Sequence, residues 1–523
     1  MKTFKKFAAL LIAALMVVLS VSALAADGDF TGTAEDEIIA TGLATGDTVT
    51  AIKIIEWDAT TSNWKFVNGF SATLNGTALT IADLVNGISA EEGAAIADAA
   101  KSMSGTTMTE TETAGTYHAT GVAPGLYYVK AVSQDPDTIY NAAFVSADYY
   151  EGGNSVAFST EASSVTYVKK STLTFKKEVT GTEKYVDTKP GDEIPYQITT
   201  TIPAYGANYT NAKFEISDTL SAGLTLKDTA VSVKYGDTTV TTSNDDVTIT
   251  PSASGFTVAF AKTYLQSLSA VGPVDVTVTY AAVVDDPPLE SNVVALDNKA
   301  KLTYSHSPNE DKDKEDLTRH YYYTIDGDVL GKTGEEGSEL IKTGTDAQGN
   351  ILTSNRKTYH ENPVSALDGA TFKLVGADGY EATATSTNGG HIRFTGLKAG
   401  TYTLTEETAP AGFVRDTRTF TVVITPTYNA DDSNSATYDD LLSQYTVSIT
   451  ADGYNGSATF TVSNQGGITK SSSIESSSNF INNTQGTELP STGGMGTTIL
   501  YTVGGILVLG AVIVMITRRR VRG

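Results

Sequence analysis

Phe214-Glu215-Ile216-Ser217-Asp218-Thr219-Leu220-Ser221-Ala222-Gly223-Leu224 alternates apolar and polar side chains and then turns at a glycine. Residues two apart on a strand share a face, so Phe214, Ile216, Asp218 and Leu220 lie together. Similar runs flank it: Leu173–Val179, Ile194–Ile202, Thr225–Tyr235, Val247–Ile249, Phe256–Phe260, Val274–Val284 and Lys299–Tyr304. Short alternating strands separated by regular turns predict an antiparallel β-sandwich. Threonine, valine, tyrosine and glycine abound between the chain ends, and helical periodicity is rare, so the whole chain reads as all-β.

Three of these faces carry a misplaced polar group. Lys177 lies with Leu173, Phe175 and Val179; Asp218 with Phe214, Ile216 and Leu220; Asn298 with Ala300, Leu302 and Tyr304. Burying a lysine or a carboxylate without compensation is costly. A salt bridge with a hydrogen-bonded asparagine is the simpler explanation. An intramolecular amide between Lys177 and Asn298, promoted by Asp218, accounts for all three at once. Burial favours the neutral amine and the neutral acid, and the acid then polarises the Asn298 carbonyl for attack. Lys176 competes for the lysine position.

The composition narrows the function classes. At 523 residues the chain has room for about three domains. It has no cysteine, so disulfides cannot brace it. A net charge of -24 argues against nucleic acid as a partner. The five histidines show no metal-ligand spacing and no nucleophile-elbow pattern occurs, so neither a cofactor, a metal nor an enzymatic activity is expected.

The ends define the export route. Lys2, Lys5 and Lys6, an apolar run from Phe7 to Val21 and Ala23-Leu24-Ala25 have the form of a signal peptide over residues 1–25. At the other end, Leu489-Pro490-Ser491-Thr492-Gly493 precedes an apolar stretch placed at 497–517 and a basic tail at 518–523 containing Arg518, Arg519, Arg520 and Arg522. The stretch is long enough to cross a bilayer, and the arginines hold its end on the cytoplasmic side. This arrangement resembles the cell-wall sorting signal of Gram-positive surface proteins. The resemblance implies that a sortase cleaves after Thr492 and passes its acyl group to an amine, leaving the protein secreted and attached to the cell wall.

Further residues resemble sortase-assembled pilins, of the major or backbone fimbrial family. Phe175-Lys176-Lys177-Glu178-Val179, Ile216–Leu224 and Asn298-Lys299-Ala300-Lys301-Leu302-Thr303-Tyr304 are similar to the isopeptide-forming D2 domain, an A-type collagen-adhesin-like fold. Leu367–Leu374 and Tyr402–Phe413 are similar to the B-type module. In that module the resemblance implies Glu406 as the proton-shuttling acid, Asn483 as the asparagine with Asn482 as alternative, and Lys342 as the lysine with Lys332 as alternative. Polymerising pilins offer an acceptor lysine in a motif ending Tyr-Pro-Lys-Asn. Tyr167-Val168-Lys169-Lys170 occupies that junction, which implies Lys169, or alternatively Lys170, as acceptor; valine replaces the proline and lysine the asparagine.

The expected architecture is therefore a tandem of immunoglobulin-like sandwiches: an N-terminal domain at 26–168, a D2 domain at 171–316 and a B-type domain at 317–485. A helix is expected around Ser89–Met103, and the charged run Asn309–Asp316 reads as a linker. Gly334–Pro363 and Thr427–Ser472 read as enlarged loops or added strands. The expected partners are a polymerising class C-like sortase, a housekeeping sortase, other copies of the chain, peptidoglycan and a host surface receptor. The alternative to a shaft subunit is an ancillary pilin or a monomeric wall-anchored adhesin.

Overall fold

The computed structural model describes residues 36–520 apart from 59, 86, 148, 152–153, 157–163, 182–183, 207–208, 269–270, 286–292, 309, 326–339, 360–361, 378, 430–441, 463–467, 471–479 and 487–494. The signal peptide, Lys332, the Leu489–Gly493 motif and the last residues of the basic tail lie outside the described residues.

Alternation builds three sandwiches in series. In the first, Thr48–Asp58 and Gly125–Val132 pair at the centre of one sheet, and Asp36–Thr41 pairs with Tyr117–Val122 in the other. One core, with Ile38, Val49, Tyr117, Val129 and Val145, fills this sandwich. Another, with Ile52, Ile54, Leu126 and Tyr128, is covered by Ile96 and Ala97 of the helix Ala90–Ala100. That helix starts where the sequence places it. Ser89 Oγ accepts from the Glu92 backbone N–H at 3.2 Å, and the Glu92 carboxylate accepts from the Ser89 N–H at 2.9 Å. This reciprocal pairing satisfies two otherwise orphaned amides.

The second sandwich faces the sheet Phe175–Val179, Glu193–Ile202, Val274–Val284, Leu224–Tyr235, Thr238–Val240 against a second sheet. That second sheet runs Tyr185–Asp187, Glu310–Ile325, Val293–Ser307, Phe214–Leu220, Gly255–Phe260, Val247–Ser252. Ile198, Ile216, Val233, Val258, Val278 and Leu302 fill the space between them.

The third sandwich has one sheet in which Ile341–Thr345 and Phe480–Thr484 lie side by side in parallel. The other contains Thr371–Gly376, Gly400–Thr408 and Thr419–Tyr428, extended by Leu442–Ala451, Tyr454–Val462 and Ile468–Lys470. The segment Thr427–Ser472 thus supplies added strands.

Of the charged run Asn309–Asp316 read as a linker, Asn309 lies outside the described residues and the remainder is strand. Glu310–Ile325 is a continuous strand, paired with Val293–Ser307 from Ser307 opposite Glu310 to Val293 opposite Tyr323. Glu315 and Asp313 face solvent and pair across the ladder, Lys299 with Glu315 at 2.6 Å and Lys301 with Asp313 at 2.7 Å, whereas Asp316 turns inward to Lys184 at 2.5 Å. Charge-paired cross-strand neighbours stabilise a sheet as apolar ones do, so polar composition concealed a strand. The division expected at 316/317 falls inside it. Its far end pairs with Phe394–Leu397 of the third sandwich, so one strand serves both domains.

Both junctions are packed. Lys170–Thr172 pairs with Thr138–Tyr140 of the first domain, and the Tyr304 hydroxyl donates to the Pro136 carbonyl at 2.6 Å. Between the second and third domains, Tyr185 and Tyr428 stack with centroids 3.9 Å apart. The Tyr428 hydroxyl donates to Asp187 Oδ1 at 2.5 Å and Tyr323 donates to the same oxygen at 3.2 Å. Burial raises the Asp187 pKa.

The helix Met495–Arg520 includes a 19-residue stretch, Tyr501–Arg519, long and apolar enough to cross a membrane. Ile506, Leu507 and Leu509 there are exposed, with no protein against them. This is consistent with a transmembrane anchor displaced slightly from the 497–517 expected.

Tyr428→Ala removes both the stacked ring and one of the two hydroxyl donors to Asp187. The joint between the second and third domains should loosen, read as a broader distance distribution in small-angle scattering and new proteolysis near Asp187. An unchanged distribution would mean that the shared strand alone holds the joint.

Two buried lysine, acid and asparagine sites

Sheet register brings the first site together. Asp218 pairs with Ala300 and Leu220 with Asn298, which puts Asp218 and Asn298 on one inward face, one pleat apart. Lys177 comes from the opposing sheet, opposite Ile198, which in turn faces Val278. Tyr280 lies two residues along that strand, pointing the same way. Lys177 and Asn298 are fully inaccessible and Asp218 is 4% exposed. Lys176, the competing lysine, is exposed and pairs with Glu178 at 2.5 Å.

Lys177 Nζ donates to Asp218 Oδ2 and, at 2.6 Å, to the Tyr280 hydroxyl oxygen. The Tyr280 hydroxyl donates to Asp218 Oδ2 at 2.8 Å, and Asn298 Nδ2 donates to the Tyr280 oxygen at 3.0 Å. Asp218 Oδ1 and Asn298 Oδ1 are buried acceptors with no donor. Tyr196 stacks on Tyr280 at 5.1 Å and Phe256 meets it edge-on at 4.7 Å, so aromatic rings wall the amine. Burial lowers the Lys177 pKa to about 8 against the opposing pull of Asp218, and burial raises that of Asp218. Both shifts favour the uncharged pair. His320, bonded to the Tyr196 hydroxyl at 2.8 Å, is held neutral by burial, which lowers its pKa to about 3.

Gly255 makes this geometry possible. It sits at φ +137°, and a Cβ there would lie 2.0 Å from the Asp218 carbonyl oxygen. Any larger residue would displace the strand carrying the acid.

The second site uses a different geometry. Lys342 is opposite Ile481 and Gly344 opposite Asn483 on adjacent parallel strands, and Glu406 reaches them from the facing sheet. Lys342 Nζ donates to Asn483 Oδ1 and lies 3.2 Å from Glu406 Oε1. Asn483 Nδ2 donates to Glu406 Oε1 at 2.9 Å, and the Asp416 backbone N–H donates to Glu406 Oε2 at 2.6 Å. All three side chains are buried, and burial lowers the Lys342 pKa to about 8. Asn482 is exposed and donates to the Thr345 hydroxyl at 3.1 Å. Of the alternatives, Lys342 and Asn483 are therefore the residues that the fold brings to Glu406.

The reading of the residues did not include Tyr280. On Val276-Val278-Tyr280-Ala282-Val284 it counts as one more apolar position, and only its hydroxyl on an inward face could have marked it. Lys169 is exposed, with its backbone held: its carbonyl accepts from the Asn141 N–H at 2.9 Å, beside a buried Val168. Lys170 is also exposed.

Comparison with known proteins follows this division. Residues 190–308 match the family model described as Gram-positive pilin backbone subunit 2, Cna-B-like domain, and residues 356–440 match a prealbumin-like fold domain. The trypsin-resistant surface T6 protein of Streptococcus pyogenes serotype M6 is 26% identical over 92% of this chain and 94% of its own length. These matches make the chain similar to Gram-positive backbone pilins. The solved T6 backbone pilin of serotype M6 Streptococcus pyogenes, described as modular and three-domain, superposes with a TM-score of 0.57 at 18% identity, over 87% of this chain and all of that one. The full-length major pilin SpaD of Corynebacterium diphtheriae matches over 74% of this chain and 90% of its own at 16% identity and TM-score 0.43. The family description groups the second domain with B-like modules, where the residues resembled the A-type. Here its lysine and asparagine lie on facing sheets, whereas those of the third domain lie on neighbouring strands.

In the uncondensed variant Asn298→Ala, Lys177 keeps an amine with a folded pKa of about 8 against an ordinary value of 10.5. Between those values the unfolded chain binds more protons than the folded one, so stability rises as pH rises from about 8 to about 10.5 and is lost on returning. Urea unfolding of this variant, referenced to Lys177→Met/Asn298→Ala, should show that slope. A flat difference would exclude a depressed amine.

Proposed function

We propose that this pilin is the structural shaft subunit of a covalent pilus, braced by two self-formed lysine–asparagine amides. The observation that carries the reading is the pair of buried triads, Lys177/Asp218/Asn298 and Lys342/Glu406/Asn483, in a chain with no cysteine. It is a structural protein and not an enzyme; each condensation happens once, on itself.

In each triad a neutral lysine amine adds to the asparagine Cγ, the carboxamide nitrogen leaves as ammonia, and a neutral amide replaces the ionisable amine. A buried ion pair gains little once desolvation is counted. An amide removes that desolvation cost. It also closes a loop: Lys342 and Asn483 are 141 residues apart, and by analogy with disulfides a loop of that order contributes about 4–5 kcal/mol through the unfolded chain. Asp218 Oδ1, protonated, becomes a donor, which relieves its own lack of a partner and makes it available to polarise the carbonyl.

Between subunits, the reading is that a sortase joins Thr492 of one copy to Lys169 of the next, with Lys170 as the alternative. The exposed Lys169 side chain on a pinned backbone supports this, because a held backbone presents the amine at a constant position. A surface location follows from the kinship with a surface protein of a Gram-positive organism. The apolar Tyr501–Arg519 helix supports retention in the membrane until transfer, and peptidoglycan is the proposed final anchor through a housekeeping sortase. A host surface receptor is the proposed partner for adhesion.

The purified ectodomain should weigh two ammonias, about 34 Da, less than its sequence; Asn298→Ala and Asn483→Ala should each restore about 17 Da. An unreduced mass would remove the internal bracing. Cells carrying the matching sortase should give a heat-stable ladder in SDS that Lys169→Arg abolishes. A ladder surviving Lys169→Arg and lost in Lys170→Arg reassigns the acceptor, and no ladder from the unmutated chain would overturn the shaft reading.

A further inference from the structure

The two triads differ in what connects the nucleophile to the leaving group. Amide formation moves one proton from Lys Nζ to Asn Nδ2, because the attacking amine must lose a proton and the departing amide nitrogen must gain one. In the third domain one carboxylate oxygen spans both atoms. Glu406 Oε1 is 3.2 Å from Lys342 Nζ and 2.9 Å from Asn483 Nδ2.

The second domain lacks that bridge. Asp218 Oδ2 accepts from Lys177 and Tyr280, and neither Asp218 oxygen is hydrogen-bonded to Asn298. The atom that touches both Nζ and Nδ2 is the Tyr280 hydroxyl oxygen, 2.6 Å from the first and 3.0 Å from the second. Tyr280 is itself buried, stacked on Tyr196 and braced by Phe256, so its hydroxyl cannot swing away. The corresponding amine of the third domain lies over the Phe372 ring, which has no hydroxyl.

We propose that Tyr280 is a catalytic residue of the second domain's amide formation, relaying the proton from Lys177 Nζ to Asn298 Nδ2. The inference rests on the reading that this triad condenses. Lys177 Nζ, as a neutral amine, bonds to Asn298 Cγ and gives an adduct with a positive Nζ and a negative Oδ1. In that adduct Nδ2 has a free lone pair; the Tyr280 hydroxyl hydrogen turns from Asp218 Oδ2 toward it, and Oη takes one proton from Nζ as that hydrogen passes to Nδ2. The Cγ–Nδ2 bond then breaks, its electron pair leaves with nitrogen as ammonia, and the carbonyl reforms. Tyr280 ends neutral, with no net gain or loss of a proton. Asp218 is left to hold the amine and to stabilise Oδ1, so the acid's two duties in the third domain are divided here between two side chains.

This division is also a sequence-specific feature. A positioned acid–base group contributes about 10²–10⁴-fold to such a step, so Tyr280→Phe, which keeps the packed ring, should slow the second-domain amide by at least about 100-fold. The third-domain amide serves as an internal control. Freshly purified Tyr280→Phe ectodomain should therefore show the loss of one ammonia, assigned by peptide mapping to Lys342–Asn483, with the Lys177–Asn298 peptide accumulating over days and faster at higher pH. Circular dichroism and protease resistance report whether the domain is folded. Full condensation of Tyr280→Phe at the first time point overturns the relay, whereas an unmutated chain with no Lys177–Asn298 amide overturns the reading beneath it. If Tyr280→Phe does not fold, 3,5-difluorotyrosine at position 280 preserves ring and hydroxyl while changing hydroxyl acidity. A relay then changes the condensation rate severalfold, and an unchanged rate overturns the proposal.

Discussion

A lysine amine enclosed by aromatic rings and a carboxyl group, closed off from the protein surface, is the constraint around which this protein is arranged. Such an amine cannot stay charged cheaply, and the acid beside it cannot either. Burial pushes the Lys177 and Lys342 pKa values down to about 8. That shift turns a liability in the core into a nucleophile placed against an asparagine.

The two sites answer the same constraint with different geometry. In the second domain the lysine and the asparagine stand on facing sheets, so a bond between them would clamp the sandwich shut. In the third they stand on the strands that open and close the domain, side by side in parallel. The two proposed amides would add a covalent link across each sandwich to the hydrogen-bonded route through the shared strand. That route would cross from Phe175–Val179 to Val293–Ser307 and continue along Glu310–Ile325 into the third sandwich. The shared strand and the Tyr185–Tyr428 stack keep that route from bending freely between domains.

Legibility in the sequence varied with the type of signal. Period-two alternation marked Lys177, Asp218 and Asn298 because each interrupts an apolar face. It also predicted the sandwiches. Lys342, Glu406 and Asn483 came from family resemblance, and the register of two parallel strands separated by most of a domain then selected Lys342 and Asn483 for contact with Glu406. The strand at Glu310–Ile325 was hidden because its partners for the charged residues lie on another strand. Tyr280 was hidden because a tyrosine in an apolar alternation carries no anomaly until its hydroxyl has neighbours.

Composition and local pattern were enough to determine that the chain is built of β-sandwiches, has no disulfides and must accommodate polar groups on apolar faces. These properties depend on side-chain periodicity and on residue counts, both of which are local. Which lysine meets which asparagine, whether an acid or a tyrosine bridges them, and where one domain passes into the next were decided only by tertiary structure. Each depends on the register between strands distant in the chain, and a contact of about 3 Å between such strands leaves no trace in either strand alone.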